Sequence, residues 1–415
     1  MRKLALLLCV LLCFPFLSGM REETECRDIV VAADLHYISP SLTDGGAAFT
    51  ELIGSGDGKV MHQIEALSDA FLDEVIERRP DALLLLGDLT FNGALESHRA
   101  LAEKLRRVED AGVPVLVTTG NHDLDNPNAA AFFGESIRRV PSADSETFRE
   151  IYAAFGYDEA LSVDGDSLSY VFRLDGTTRL LMLDCNAPGH SCALPESTLP
   201  WIEKELEAAQ EAGERVIAAG HQNLLQQTIF RGGYVLECAD ALLSLFARYE
   251  VPLYLSGHLH VQHWKSERGV TEIAGSALSV SPCQYGLLRM RDGQLVYETH
   301  ETDVAAWAAA HGRSEPELLD FAAGAAAFFD TMGQAQLVDT LRLFGRTEEE
   351  IACMSESFRA LNRAYFSGDM RDAAAAYAPA AGLWEDDPSL YGLYVRSIRE
   401  DFGRDFRRWQ SGGDG

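Results

Sequence analysis

Val115-Leu116-Val117-Thr118-Thr119-Gly120-Asn121-His122-Asp123 is the stretch that decides the fold reading. Five apolar or β-branched residues run into a glycine, then into an amide, an imidazole and a carboxylate. That order reads as a buried strand closed by a turn signal. The same grammar recurs outward along the chain. Ile29-Val30-Val31-Ala32-Ala33 precedes Asp34-Leu35-His36, and residues 82–86 precede Gly87-Asp88. Val216-Ile217-Ala218-Ala219 precedes Gly220-His221, and Pro252-Leu253-Tyr254-Leu255-Ser256 precedes Gly257-His258-Leu259-His260. Continuous apolar strands belong to a sheet covered on both faces, and ligands gather at the carboxyl ends of such strands. Five strand ends bearing carboxylate, amide or imidazole therefore build one convergent site of metal-ligating character. The glycines let the backbone turn sharply out of each strand. These residue types support a metal-dependent hydrolase.

Between the strands lie amphipathic helical stretches. Residues 62–79 place Ile64, Leu67, Phe71, Leu72, Val75 and Ile76 on one stripe, which Pro80 ends. Residues 95–108, 200–212 and 239–249 read the same way. Alternation of strand and helix predicts an α/β layered domain through about residue 300, with 271–296 as sheet closing the far side of its core. Beyond 301 only helical periodicity remains, and Thr347 with Glu350 fits a capping box. The expected organisation is residues 1–19 as a signal peptide, 28–300 as the catalytic domain and 301–415 as a small helical domain. The polar, glycine-rich residues 410–415 are expected to fray.

The chain has 415 residues, 47% hydrophobic and 24% charged, with a net charge of -29. Such an acidic surface repels phosphate backbones, so nucleic-acid polymers are poor partners and their binding is not expected. A small anion remains compatible, because bound cations invert the local field. Arg2-Lys3 followed by an apolar run over 4–17 and Ser18-Gly19 reads as an export signal. The run is short of the roughly 20 residues of a membrane span. An exported protein without stable membrane insertion follows if the signal is cleaved, and an N-terminal anchor if it is not. Six of eight cysteines lie beyond residue 19, with no disulfide framework or CxxC pattern. Cys185 and Cys192 are close enough to pair across their loop; free thiols are the other reading.

Taken in order, Asp34-x-His36, Gly87-Asp88, Gly120-Asn121-His122-Asp123, Gly220-His221 and Gly257-His258-x-His260 resemble the calcineurin-like metallophosphoesterase superfamily over about residues 28–262. The loop 36–44, the export signal and the helical C-terminal region are similar to exported bacterial cyclic-nucleotide phosphodiesterases of that superfamily, the class III type. The resemblance implies a four-layer αββα sandwich with a small C-terminal helical domain. It implies a binuclear centre, with Asp34, His36 and His260 on one divalent ion, Asn121, His221 and His258 on the other, and Asp88 bridging. Such a donor set suits Mn, Fe, Zn or Co without choosing among them. A metal-bound water would lose its proton and attack phosphorus in line. His122 would protonate the leaving alkoxide, and Asp123 would orient and charge that imidazole. The implied substrate is a small phosphoester, with a cyclic nucleotide leading. A phosphomonoester or nucleotide monoester, a glycerophosphodiester or phospholipid headgroup, and a non-enzymatic binding or scaffold role are the alternatives. One departure stands out: many relatives have proline soon after the fourth-block histidine, and here the chain reads His221-Gln222-Asn223. Phe91 stands where purple acid phosphatases place tyrosine, which argues against a ferric-tyrosinate site.

Tyr37, Asn92 and His98 lie just beyond ligand-bearing strand ends, where substrate contacts gather, although turn or packing roles also fit them. His62, His190, His263, His300 and His311 read as surface or incidental. Trp307, Phe321, Phe328 and Phe329 recur at helical spacing and read as core rather than a nucleobase platform.

Overall fold

The computed structural model describes residues 26–190 and 192–412. The expected signal at 1–19 lies outside the described residues. In chain order the strands are β1 (Arg27–Ala32), β2 (Ala82–Leu86), β3 (Val115–Thr118), β4 (Ala130–Phe133), β5 (Ser136–Arg139), β6 (Ser162–Val163), β7 (Tyr170–Arg173) and β8 (Thr178–Met182). They continue with β9 (Arg215–Ala219), β10 (Leu253–Ser256), β11 (His263–Glu267), β12 (Val270–Ala274), β13 (Gln284–Arg291), β14 (Gln294–Glu301) and β15 (Arg408–Gln410). One sheet runs β15-β14-β13-β1-β2-β3 and the other β11-β12-β10-β9-β8-β7-β6, with β4 and β5 as a separate hairpin.

Side-chain alternation explains how the sheets stack. In the second sheet Leu180, Met182, Ile217, Ala219, Leu253 and Leu255 join the core shared with the first sheet. Their neighbours Leu181, Val216, Ala218 and Tyr254 face the other way, into a core with Ile202, Leu206, Leu242 and Phe246. Those last four lie on helices Thr198–Ala212 and Ala239–Arg248. Successive strand residues point to opposite faces, so a strand covered on both sides must be apolar throughout. The first sheet is covered by helices Ile64–Arg78 and Leu95–Asp110, whose Leu67, Phe71, Leu101 and Leu105 share its core. Each such side chain stabilises the fold by about 1.5–3 kcal/mol relative to exposure. The architecture is the expected mixed α/β arrangement of stacked sheets flanked by helices.

Register puts the strand ends level. β1, β2 and β3 are parallel, with Ala32 opposite Leu85 and Leu86 opposite Thr118. β9 and β10 are parallel, with Ala219 opposite Leu255. Parallel strands in such register deliver the residues that follow them to one edge.

Beyond β14 the described chain is mainly helical. The capping box of helix Glu348–Ser367 forms as its sequence predicts, with Thr347 and Glu350 bonded reciprocally. The region is not detached from the sheets. Val304, Ala308, Leu318 and Phe321 join the first core, while Leu337, Met354, Leu361 and Trp384 make a core of their own with Val261. The expectation of a fraying tail is corrected for Gln410, which ends β15 and pairs with Val296 of β14. An apolar-period reading misses a three-residue strand whose backbone groups are satisfied by a neighbour over a hundred residues away. All six described cysteines are free. Among the described residues no helix is long and apolar enough to cross a membrane.

Candidate metal centre

Each predicted ligand sits just past a strand, and five of the seven adopt a backbone conformation that side chains rarely take. Asp34, His36, Asp88, His258 and His260 have φ of 56, 50, 47, 70 and 60°. Left-handed backbone at a non-glycine residue costs on the order of 1–3 kcal/mol, so five where strand ends of the two sheets meet mark strain concentrated at a functional site. The adjacent glycines are required by contact. A Cβ on Gly120 would lie 2.0 Å from the Asp88 nitrogen, and one on Gly257 would lie 2.5 Å from the Ala33 Cβ.

The side chains converge as the sequence reading expects. Asp34, His36 and His260 form one group, and Asp88, His221 and His258 another, with His36, Asp88 and His122 between them. His260 Nε2 is 3.4 Å from both His36 Nε2 and Asp34 Oδ1. On the other side His221 Nε2 is 3.1 Å from Asn121 Oδ1 and 3.2 Å from His258 Nδ1. Asp88 Oδ2 lies in the middle, 3.6 Å from His36 Nε2, 3.4 Å from His221 Nε2 and 3.9 Å from His122 Nε2.

Outer partners fix which ring nitrogens point inward. A carbonyl only accepts, so His221 Nδ1 donates to Leu86 O at 2.8 Å and His258 Nε2 donates to Gly233 O at 2.8 Å. That leaves His221 Nε2 and His258 Nδ1 as lone-pair donors towards the centre. Asp34 Oδ1 is fully buried without any hydrogen-bond partner. A buried carboxylate oxygen facing imidazole nitrogens is costly unless a cation meets it. Oxygen and imidazole donors without thiolate suit hard to borderline divalent ions. The residues present fit such ions.

Electrostatics agree with a site built for positive charge. Burial pushes the Asp88 carboxyl up, but His221, His36 and His122 outweigh it and hold it well below the usual range. Burial, aided by Lys59, keeps the His36 imidazole well below its ordinary value. Burial and then His221 press His258 down to about 4. His221 rises to about 9, because Asp88 overcomes the opposing effect of burial.

His122 lies over these groups and is more open, its side chain 34% exposed against 2% for Asp88. Its Nδ1 donates to Phe91 O at 2.8 Å, which leaves Nε2 facing the site. Here the structure corrects the role expected of Asp123. The Asp123 carboxylate does not hold the His122 ring. Oδ2 accepts from Leu89 N and Gly120 N, and Oδ1 from Thr90 N and Thr90 Oγ1. Asp123 is thus a clamp between the loops after β2 and β3; burial and then Asp88 raise it to about 7.

Three expected substrate contacts are also corrected. Tyr37 is 1% exposed and its hydroxyl donates to Glu65 Oε2 at 2.6 Å. Asn92 is 5% exposed and donates to Asn128 O and Ala130 O. His98 is fully buried, with Nε2 3.0 Å from Asp123 O and Nδ1 3.0 Å from the Tyr152 hydroxyl. Tyr37 and His98 spend their polar atoms on internal partners; Asn92 spends its Nδ2 on a neighbouring loop and leaves Oδ1 buried without a hydrogen bond.

Sequence reasoning missed several neighbours of the site. Asp57 Oδ2 is 3.6 Å from His260 Nδ1 and pairs with Lys59 at 2.7 Å. The Tyr234 ring lies 5.1 Å from His258. A cavity of about 400 Å³ opens beside Asn121, walled by Leu124, Asp125, Asn186 and Ala187. Glu272 of β12 is fully buried and takes up the departure at His221-Gln222-Asn223. Its Oε1 accepts from Asn223 Nδ2 at 3.0 Å, Leu224 N at 3.1 Å and Ser256 Oγ at 2.6 Å. One carboxylate therefore anchors the segment after His221 and the strand end before His258. A lone glutamate in an otherwise strand-like run was the one available signal.

Residues 28–262 match the family described as calcineurin-like phosphoesterase. The chain belongs to that family. Residues 303–405 match a second family, described as the C-terminal domain of cyclic nucleotide phosphodiesterase. A protein from Ruthia magnifica named "Probable cyclic nucleotide phosphodiesterase" is 38% identical over 66 residues, 16% of this chain and 26% of that protein. A cAMP/cGMP dual specificity phosphodiesterase from Mycobacterium tuberculosis is 28% identical over 221 residues, 51% of this chain and 59% of its own length. The chain thus spans less than two thirds of the length of either relative. Among solved structures, a dimetal phosphatase from Danio rerio aligns over 66% of this chain and 96% of its own, at 14% identity and a TM-score of 0.49.

Proposed function

We propose that this calcineurin-like phosphoesterase is an exported, two-metal phosphodiesterase that takes cyclic nucleotides. The observation that carries the reading is the position of Asp88 Oδ2, within 3.9 Å of inward ring nitrogens from His36, His221 and His122. Asp34, His36 and His260 would hold one ion, Asn121, His221 and His258 the other, with Asp88 shared. When bound, such ions neutralise charge on phosphoryl oxygens and make water acidic enough to serve as nucleophile near neutral pH.

The protein's own contribution is positioning and one proton. The buried ligands and the Asp123 clamp hold the site rigid, so little reorganisation is needed as charge develops. Water oxygen bonds to phosphorus, the bond to the ester oxygen breaks, and that oxygen takes its proton from His122 Nε2. The Phe91 carbonyl keeps Nδ1 occupied, so the proton in play is on the nitrogen that faces the phosphate. The part of the substrate beyond the phosphate has room in the cavity beside Asn121. The cyclic-nucleotide substrate class is supported by the match over 303–405 and by the names of the relatives. Export is supported by the basic start and apolar run within residues 1–19.

The test compares bis-p-nitrophenyl phosphate with p-nitrophenyl phosphate, using the purified chain with added Mn2+. Faster diester turnover, followed by hydrolysis of a 3′,5′-cyclic nucleotide, is expected. Preference for the monoester would replace this reading with a phosphatase or nucleotidase. Diester turnover without cyclic-nucleotide hydrolysis would point to glycerophosphodiesters or phospholipid headgroups. No turnover with any divalent metal would leave a binding or scaffold role.

A further inference from the structure

Residues 261–264 follow directly on His258-Leu259-His260, yet many of the groups that grip them, backbone carbonyls included, come from the C-terminal region. Val261 lies in the helical core with Leu361 and Tyr365. The Gln262 backbone N–H donates to Phe366 O at 3.1 Å and its Nε2 donates to Phe406 O at 3.1 Å. Tyr297 donates to Gln262 Oε1 at 3.3 Å, so both ends of the amide are engaged. Gly368, in the left-handed region at φ 78°, makes room for this side chain, since a Cβ there would lie 2.7 Å from Gln262 Cγ.

His263 extends the grip to the other ligand loop. Its ring stacks on Phe406 with centroids 3.9 Å apart. Nδ1 is 2.9 Å from Oε1 of Gln227, six residues beyond His221, and Nε2 is 3.3 Å from Asp401 Oδ2. Gln262, His263 and Gln227 are 1, 0 and 2% exposed. A packing interface alone would be served by apolar side chains, because each buried amide or imidazole must recover its desolvation cost through specific partners. Directional bonds through Gln262 and His263 Nδ1, with the Asp401 carboxylate facing His263 Nε2 at ion-pair distance and without a hydrogen bond, are what a fixed backbone position requires.

We propose that the C-terminal helical region is a brace for the metal centre, acting through Gln262, His263 and Asp401 as positioning residues. They touch no substrate; they set the chain immediately after His258 and His260, and through Gln227 the loop after His221. The inference rests on the ligand assignment above and adds a role for the C-terminal region. Removing outer-shell support of metal ligands typically lowers metal affinity by about 10–100-fold.

The test titrates Mn2+ alone into the metal-stripped full-length chain by calorimetry, without substrate. Gln262→Ala and Asp401→Ala are expected to raise the Mn2+ dissociation constant by about 10–100-fold. Asp401→Asn keeps the size of the side chain and offers His263 Nε2 an amide N–H where the carboxylate lay at ion-pair distance, so it should stay near wild type. Leu341→Ala opens a cavity in the same helical core, and its side chain makes none of these bonds; it should lower the melting temperature but leave Mn2+ affinity unchanged. Should Gln262→Ala not fold, the Asp401 pair, at the rim of the region, decides the question. The proposal is overturned if affinity follows melting temperature across all variants, Leu341→Ala included, or if no variant changes affinity. Mn2+ binding by the wild-type chain without ester hydrolysis would remove the proposed activity and leave the brace standing. No Mn2+ binding by wild type would remove both.

Discussion

On the first sheet, Asp34, Asp88 and Asn121 leave β1, β2 and β3, and short-range backbone geometry holds them. Asp88 Oδ1 accepts from His122 N, and Asp123 closes the loops after β2 and β3 onto each other. On the second sheet, His221, His258 and His260 leave β9 and β10, and buried side chains from elsewhere hold them: Glu272 from β12, Gln262 with its C-terminal partners, and Gln227 through His263. The same strand-then-ligand grammar thus has two supports. One lies mostly within the motif blocks, joined by Ser279, whose Oγ donates to Asp34 O at 2.7 Å. The other recruits buried side chains from several distant segments, so changes far from any motif weigh more on the second half.

His122→Ala gives the largest effect and breaks the comparison on the first-sheet side. Loss of a positioned proton donor lowers diester turnover by about 10²–10⁴-fold, while the ions remain bound. Steady-state kinetics beside a metal-content measurement checks it. A loss below tenfold, or loss of the metals themselves, would show that His122 is a ligand or a bystander.

His98→Gln is next, and it probes the clamp through pH. Burial, resisted by the Asp123 carbonyl, presses His98 down to about 4. The unfolded value is near 6.5, so between pH 6.5 and 4 the unfolded chain binds the extra proton. Stability from neutral His98 is therefore full above pH 6.5 and falls as the pH drops through that window, by up to about 3 kcal/mol. Urea unfolding at pH 7 and pH 4.5 should show a smaller difference for His98→Gln than for wild type. Equal differences would mean that His98 does not titrate across this range on unfolding.

The clustered carboxylates and imidazoles were legible because each lies within four residues of an apolar run, so local pattern alone placed them at strand ends. What surrounds them was not. Asp123 sits beside His122 in sequence, and adjacency suggested a pair, but backbone N–H groups from two loops reach its carboxylate first. Tyr37, Asn92 and His98 follow strand ends as substrate contacts do, yet their partners at Glu65, Ala130 and Tyr152 draw them inward. His263 read as incidental because nothing nearby matches it; its partners Gln227 and Asp401 are 36 and 138 residues away. Periodicity shows that a residue is buried, while only the fold shows against what.

Trp264→Phe, the smallest effect, separates the brace from the strand beside it. Trp264 Nε1 donates to Arg408 O at 3.1 Å, tying β11 to β15, and the Arg404 guanidinium lies 5.0 Å above its ring. Phenylalanine keeps an aromatic face for the cation and loses only the hydrogen bond, about 1 kcal/mol at a partly exposed site. For a chain of this length that lowers the melting temperature by about 2 °C or less. Mn2+ affinity should not move, because the lost bond is made by neither Gln262 nor His263 and leaves Gln262 its three partners. A tenfold loss of affinity in Trp264→Phe would shift the bracing role from Gln262 and His263 to β15. The second half of the centre would then depend on β15 and not on the helical region.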